Sequence, residues 1–381
     1  MNVPSCWDIY CRVVDNYGDI GVCWRLARQL ATEHGLRVRL WVDDLKAFGR
    51  ICPDVNPGMD EQACRGVIVR RWPDLFPQVE PADVVVEAFA CELPESYVRA
   101  MAARVVKPHW INLEYLSAED WVGECHGLTS PSPRLPLTKH FFFPGFAADT
   151  GGVLRERDLE ERRRAFCQDA GATAAFWQAL GLEAPRAGEC RISLFCYPGS
   201  RGGALFSCWQ AQAERTICLV PEGIAADSVA AFFGRAASAA GGILRRGNLE
   251  VRVIPFLEQD AYDRLLWACD CNFVRGEDSF ARAQWALRPM VWQPYPQEEG
   301  IHLRKLEAFL QRYCAGLERS AAEALTAMWG AWSRGEGVDQ AWPAFRIHWP
   351  ALARHAEDWE KSLAAQGDLA GKLVQFSLNR L

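Results

Sequence analysis

Short apolar runs alternate with amphipathic stretches along most of this chain. Ser5–Val14 is β-rich and apolar, Val22–His34 places Val22, Leu26 and Leu30 at helical spacing, and Val38–Val42 alternates as a strand. That order predicts an opening βαβ unit. Val67–Val69, Val84–Glu87 and Trp110–Leu113 supply further strands of the same sheet, with Pro131-Ser132-Pro133 in a loop at its edge. Charge-dense Arg155–Arg164 and the apolar-faced stretch up to Leu180 predict a linking helix pair, and the pattern breaks across Glu183–Gly188. The alternation then restarts. Strands are predicted at Arg191–Tyr197, Thr216–Val220, Glu250–Ile254, Asp270–Val274 and Met290–Gln293, with helices near Leu205–Ala213, Asp260–Ala268 and Phe280–Leu287. An amphipathic tail, Trp359–Leu381, predicts terminal helices. The sum is an α/β chain of two halves with a cleft between them, 1–184 and 185–357, with helices from about 358 to 381 returning to the first.

Composition narrows the class. The chain has 381 residues, half of them hydrophobic and 24% charged, as in a globular protein with two ordinary domains. A net charge of −6 lacks the general basic footprint of nucleic-acid binding. Fifteen cysteines suggest a disulfide scaffold, yet Cys11, Cys23, Cys196, Cys269 and Cys271 lie in apolar runs, and no CxxC pair or zinc-type spacing occurs. Buried thiols in a reducing cytoplasm are the expectation. Met1–Trp7 lacks a secretory signal pattern, and no uncharged stretch approaches the ~20 residues that span a bilayer. The seven histidines are dispersed, without a Ser/His/Asp order or metal spacing.

Candidate chemistry sits at strand ends. Arg275-Gly276-Glu277-Asp278-Ser279 follows the buried-type strand, at a strand-to-helix turn where open α/β sheets bind ligands. Helix-start amides and Arg275 suit a phosphate, whereas Glu277 and Asp278 oppose one. The first turn, Asp15–Gly21, has Gly18 and Gly21 but no G-x-G-x-x-G. There Asp19 fits two descriptions equally: a first-turn acid with Asp15 or Asn16 as cap, or a general base. Phe195 and Tyr197 flank Cys196 at the end of a strand; core packing accounts for them more simply than a nucleobase platform. Gln259 offers a donor–acceptor pair for a pyrimidine edge with Tyr262 one helical step away, against a cap at Asp260 with a buried ring.

The joint order of the motifs resembles the protein-arginine rhamnosyltransferases of bacterial elongation factor P over essentially the whole length. The matching segments are Asp15–Val22, Asn112–Leu116 with Glu119-Asp120-Trp121, Phe195–Tyr197, Ile254–Trp267, Arg275–Gln284 and Tyr295-Pro296-Gln297. The resemblance implies a GT-B glycosyltransferase fold of two Rossmann-like domains facing across a cleft. It implies inverting, metal-independent transfer from dTDP-β-L-rhamnose to an arginine of elongation factor P, with no cofactor and no nucleic-acid or membrane partner. By the same resemblance Asp19 is the catalytic aspartate, Asp15 supports it and Glu277 is a second acid. Asn16, Tyr17, Gly18, Phe195, Tyr197, Gln259, Tyr262, Arg275, Gly276, Asp278 and Ser279 would hold the donor. Tyr262 and Glu258 depart from the Phe and Pro common there. Two rivals remain open: a GT-B enzyme acting on a small molecule or lipid, and a non-catalytic nucleotide-binding partner of translation.

Overall fold

A computed structural model of the chain describes residues 6–15, 17–200, 202–235 and 239–379. Two compact units emerge, Met1–Arg157 with Ser362–Leu381, and Asp158–Lys361.

The first unit holds an eight-stranded sheet of β1 (Cys6–Cys11), β2 (Arg37–Val42), β3 (Glu61–Cys64), β4 (Val67–Arg71), β5 (Val84–Ala88), β6 (His109–Leu113), β7 (Thr129–Pro131) and β8 (Thr138–Phe142). Their spatial order is β3-β4-β2-β1-β5-β6-β8-β7. Central pairs run parallel, and only the edge pairs β3–β4 and β7–β8 are antiparallel. Every residue of β1 and β5 is buried, so these strands read as continuous apolar runs rather than as alternation. Asp8 is the polar exception within β1. Its carboxylate takes Arg39 in two bonds, Nε to Oδ1 at 2.5 Å and Nη2 to Oδ2 at 2.6 Å, together with the Trp41 indole and the Tyr97 hydroxyl. The terminal helix Leu369–Leu378 belongs here: Phe376 packs among His109, His126, His140 and Phe142, and Gln29 Nε2 donates to Asp368 Oδ1 at 3.0 Å.

The second unit carries a six-stranded sheet of β9 (Glu189–Leu194), β10 (Arg215–Pro221), β11 (Ile243–Arg246), β12 (Leu249–Ile254), β13 (Cys271–Arg275) and β14 (Met290–Gln293), ordered β11-β12-β10-β9-β13-β14. The linking helices, Leu159–Gln168 and Ala170–Ala179, belong to it, so the division falls at Arg157 and not near residue 185. The reason is burial. Trp177 is fully enclosed by Leu182, Ile217, Leu219, Ile254 and Leu265, and Arg163 pairs with Glu360. Between Tyr295 and Trp359, where no element is predicted, lie the helices Ile301–Tyr313, Arg319–Arg334 and Val338–Ile347, and Trp349–Ala365 begins ten residues before the predicted tail. Pro343 lies inside one of them. No helix among the described residues is long and apolar enough to cross a membrane. None of the cysteines forms a disulfide, and eleven of the fifteen are buried.

Glu250 on β12 illustrates how the second sheet handles a buried acid. Burial pushes its carboxyl up, but guanidinium groups of Arg245 (2.8 Å), Arg252 and Arg215 (2.7 Å) outweigh it and hold it down at about 2. A depressed carboxylate stabilises the fold above its unfolded value and loses that contribution as pH falls toward its folded one. Glu250→Gln is therefore expected to lower stability at neutral pH, with the deficit shrinking between about pH 4.5 and about pH 2. Urea titrations across that range check it; a pH-independent deficit would contradict the assignment.

Candidate active site

In the first unit, β1 ends at Cys11 and the chain loops into the helix Gly18–His34. The N-cap position is Tyr17, whose side chain makes no capping bond, so Asp15, one of the caps anticipated from the sequence, does not occupy it. Asn16 lies outside the described residues. Asp19 turns back toward the loop: Oδ2 accepts from the backbone N–H of Val14 and of Asp15, each at 2.8 Å. Oδ1 accepts from the Tyr115 hydroxyl at 3.1 Å. Asp19 is only 2% exposed. Gly18 lies close to the Asp15 side chain, where a Cβ would meet Oδ2 at 2.9 Å. Beside Tyr115 a cavity of about 220 Å³ is lined by Arg12, Val14, Phe89, Ala90, Cys91, Glu92 and Tyr115.

In the second unit the structure gathers the residues predicted around β9 and β13. Strand β9 stops at Leu194, leaving Phe195–Tyr197 in the following loop rather than in the strand. The Arg275 guanidinium enters between the two rings, 4.4 Å from the Phe195 centroid and 4.6 Å from that of Tyr197, and Nη1 donates to Cys196 O at 2.7 Å. Arg275 thus packs its guanidinium against both rings. Tyr262 lies against Phe195 with centroids 5.7 Å apart, and burial drives its phenol far above the ordinary range. Gln259 Nε2 reaches Asp278 Oδ2 at 3.3 Å. The helix here begins after an N-cap at Glu258, so Asp260 is a first-turn residue and not the cap.

The turn after β13 is shaped by Gly276, at φ 59°, where a side chain would be strained. Its carbonyl accepts from the Trp292 indole at 2.8 Å, and its N–H donates to Gln293 O at 3.0 Å. Ser279 Oγ accepts from Arg275 N and donates to Arg275 O, closing the turn. Half-buried Glu277 takes the N-cap position of the helix Asp278–Ala283 without a side-chain capping bond. That helix is shorter than the predicted Phe280–Leu287, so individual amides matter here more than a macrodipole.

No individual role was legible in the sequence for Tyr115 and Arg282, which lie inside matched motifs, or for Gln293. Gln293 Oε1 accepts from Tyr197 N at 3.0 Å and from Ser200 Oγ at 3.1 Å, fixing the loop that bears the platform. Its position on a strand, two residues before Tyr295, was the only available signal. Among the described residues one ligand set of metal type comes together, Cys52, Asp54 and Cys64. It lies beside β3, and Asp54 is already paired with Arg65 at 2.9 Å.

Two Rossmann-type units, each with a largely parallel sheet, have the architecture of the GT-B glycosyltransferases. A calicheamicin glycosyltransferase aligns over both full chains with a TM-score of 0.50 at 13% identity, a likeness of fold alone. The family model described as Elongation-Factor P (EF-P) rhamnosyltransferase EarP matches residues 7–378. Proteins named protein-arginine rhamnosyltransferase from Pseudomonas putida and Pseudomonas aeruginosa are 52% and 50% identical, covering 100% and 97% of this chain and 100% and 98% of their own lengths. A structure solved for EarP-mediated arginine glycosylation of elongation factor EF-P has a TM-score of 0.71 and 40% identity, with 99% of each chain covered. The chain belongs to the elongation factor P rhamnosyltransferase family.

Proposed function

We propose that the chain transfers L-rhamnose from dTDP-β-L-rhamnose to an arginine side chain of translation elongation factor P, inverting the anomeric carbon and using no metal. The modified factor would then relieve ribosomes stalled at polyproline. Asp19 carries the reading: a buried carboxylate in the first turn of the helix Gly18–His34, held by two backbone amides of the loop after β1, is an organised proton acceptor. A guanidinium needs one. Its lone pairs are delocalised and its pKa exceeds ~12, so it attacks only as a proton is taken from it. In the proposed step an arginine nitrogen bonds to C1 of the sugar, the bond from C1 to the diphosphate oxygen breaks, and the proton passes to Asp19 while dTDP departs. Asp15 keeps the loop around Asp19 in place.

On the donor side, Phe195, Tyr197 and Tyr262 would border the thymine, and Gln259 would offer an amide to its edge. Arg275 and the backbone amides of Gly276–Ser279 would offset charge on the leaving diphosphate, the part a metal plays in other transferases. Glu277 would orient the cationic acceptor, which accounts for an acid beside a phosphate-friendly turn. Incubating elongation factor P with this protein and dTDP-rhamnose, with a chelator present, is expected to add the mass of one deoxyhexose residue to an arginine. An unchanged intact mass with both proteins folded would sink the proposal, and turnover on sugars or lipids alone would favour the small-molecule rival.

A further inference from the structure

The Asn112–Leu116 motif contains a tyrosine to which the proposed chemistry gives no part. Tyr115 leaves the carboxyl end of β6 and donates its hydroxyl to Asp19 Oδ1 at 3.1 Å. The two oxygens of Asp19 are therefore held differently, Oδ2 by backbone and Oδ1 by a side chain. The phenol is itself fixed. Its ring stacks on Phe89 with centroids 4.3 Å apart and planes 13° from parallel. Phe89 stands at φ 56°, followed by Ala90 at 51° and Glu92 at 55°. Left-handed non-glycine residues cost on the order of 1–3 kcal/mol each and gather where function needs them. The Phe89 N–H donates to Leu113 O at 2.7 Å, so this strained turn is tied to the strand end that carries Tyr115. Tyr115 is 36% exposed and lines the neighbouring cavity, whereas Asp19 is almost sealed.

We propose that Tyr115 is a positioning residue for the general base, orienting Asp19 Oδ1 toward the acceptor nitrogen before the proton is taken. This inference rests on the reading of Asp19 as the base. The phenol keeps its own proton throughout, and the transferred proton ends on Asp19. Other titratable groups facing Asp19 are the Cys11 thiol of β1, held far up first by burial and then by Cys23, and Asp15, whose carboxylate lies against Gly18. The thiol stays neutral through the working range.

Tyr115→Phe keeps the ring and its stack and deletes only the hydroxyl. Loss of a hydrogen bond to a charged group is expected to lower kcat about tenfold or more. The KM for dTDP-rhamnose should stay within about twofold. A merely structural tyrosine would change stability and leave kcat in place. Wild-type kcat in a folded Tyr115→Phe protein overturns the inference. Asp19→Asn separates the two ideas. If it is inactive while Tyr115→Phe is normal, only this inference fails; if Asp19→Asn still transfers, the general-base reading fails and this one with it.

Discussion

Asp19→Asn is expected to retain dTDP binding and lose rhamnosyl transfer by at least ~100-fold, the usual scale for deleting a general base. The substitution keeps the shape of the side chain. Its carboxamide oxygen can still accept from Val14 and Asp15, and its amino group can face the Tyr115 oxygen, so the turn after β1 has the partners it needs. What is lost is an acceptor able to take a proton from the guanidinium. Single-turnover mass spectrometry measures transfer, and calorimetry with dTDP measures binding. Transfer within about tenfold of wild type would remove Asp19 from the role of base. It would also revive the view of the chain as a nucleotide-binding partner of translation.

The largest expected effect on stability comes from Arg282→Met. Arg282 lies inside the Arg275–Gln284 motif, 2% exposed, and meets the equally buried Asp263 in two bonds, Nε to Oδ1 at 3.0 Å and Nη2 to Oδ2 at 2.7 Å. Methionine fills much of the same volume without charge and strands a buried carboxylate, a change that typically costs ~3–5 kcal/mol. Asp263 is on the helix Gln259–Ala268, one residue beyond Tyr262, so the loss should also raise the donor KM. The double variant Arg282→Met with Asp263→Leu should recover most of the stability, because replacing both partners leaves no orphaned charge. Urea denaturation of the three proteins checks it. A single-variant loss below ~1 kcal/mol would show that the pair is solvated in solution.

Much of the frame was readable because buried parallel strands leave continuous apolar runs. The strand at Met290–Gln293 has the expected limits, and Val84–Ala88 differs from its expectation by one residue. Errors fell where a residue's surroundings come from distant chain. Phe195-Cys196-Tyr197 looks like strand because it is apolar, yet β9 stops at Leu194 and Arg275, eighty residues away, takes the space between the rings. The helix pair before Leu180 looks like a linker because its first helix is highly charged, yet Trp177 commits it to the second sheet.

The sequence by itself determined the α/β class, the family and the acids and rings at the strand ends, since periodicity and motif order are properties of neighbours along the chain. Only the tertiary structure decided which of those groups are engaged and by what. It placed Tyr115 on Asp19 across 96 residues, put Arg275 between two rings and matched Arg282 to Asp263. The reason is physical. A carboxylate's readiness to take a proton depends on donors within about 3 Å of its oxygens, and folding supplies donors from β strands that are remote in sequence.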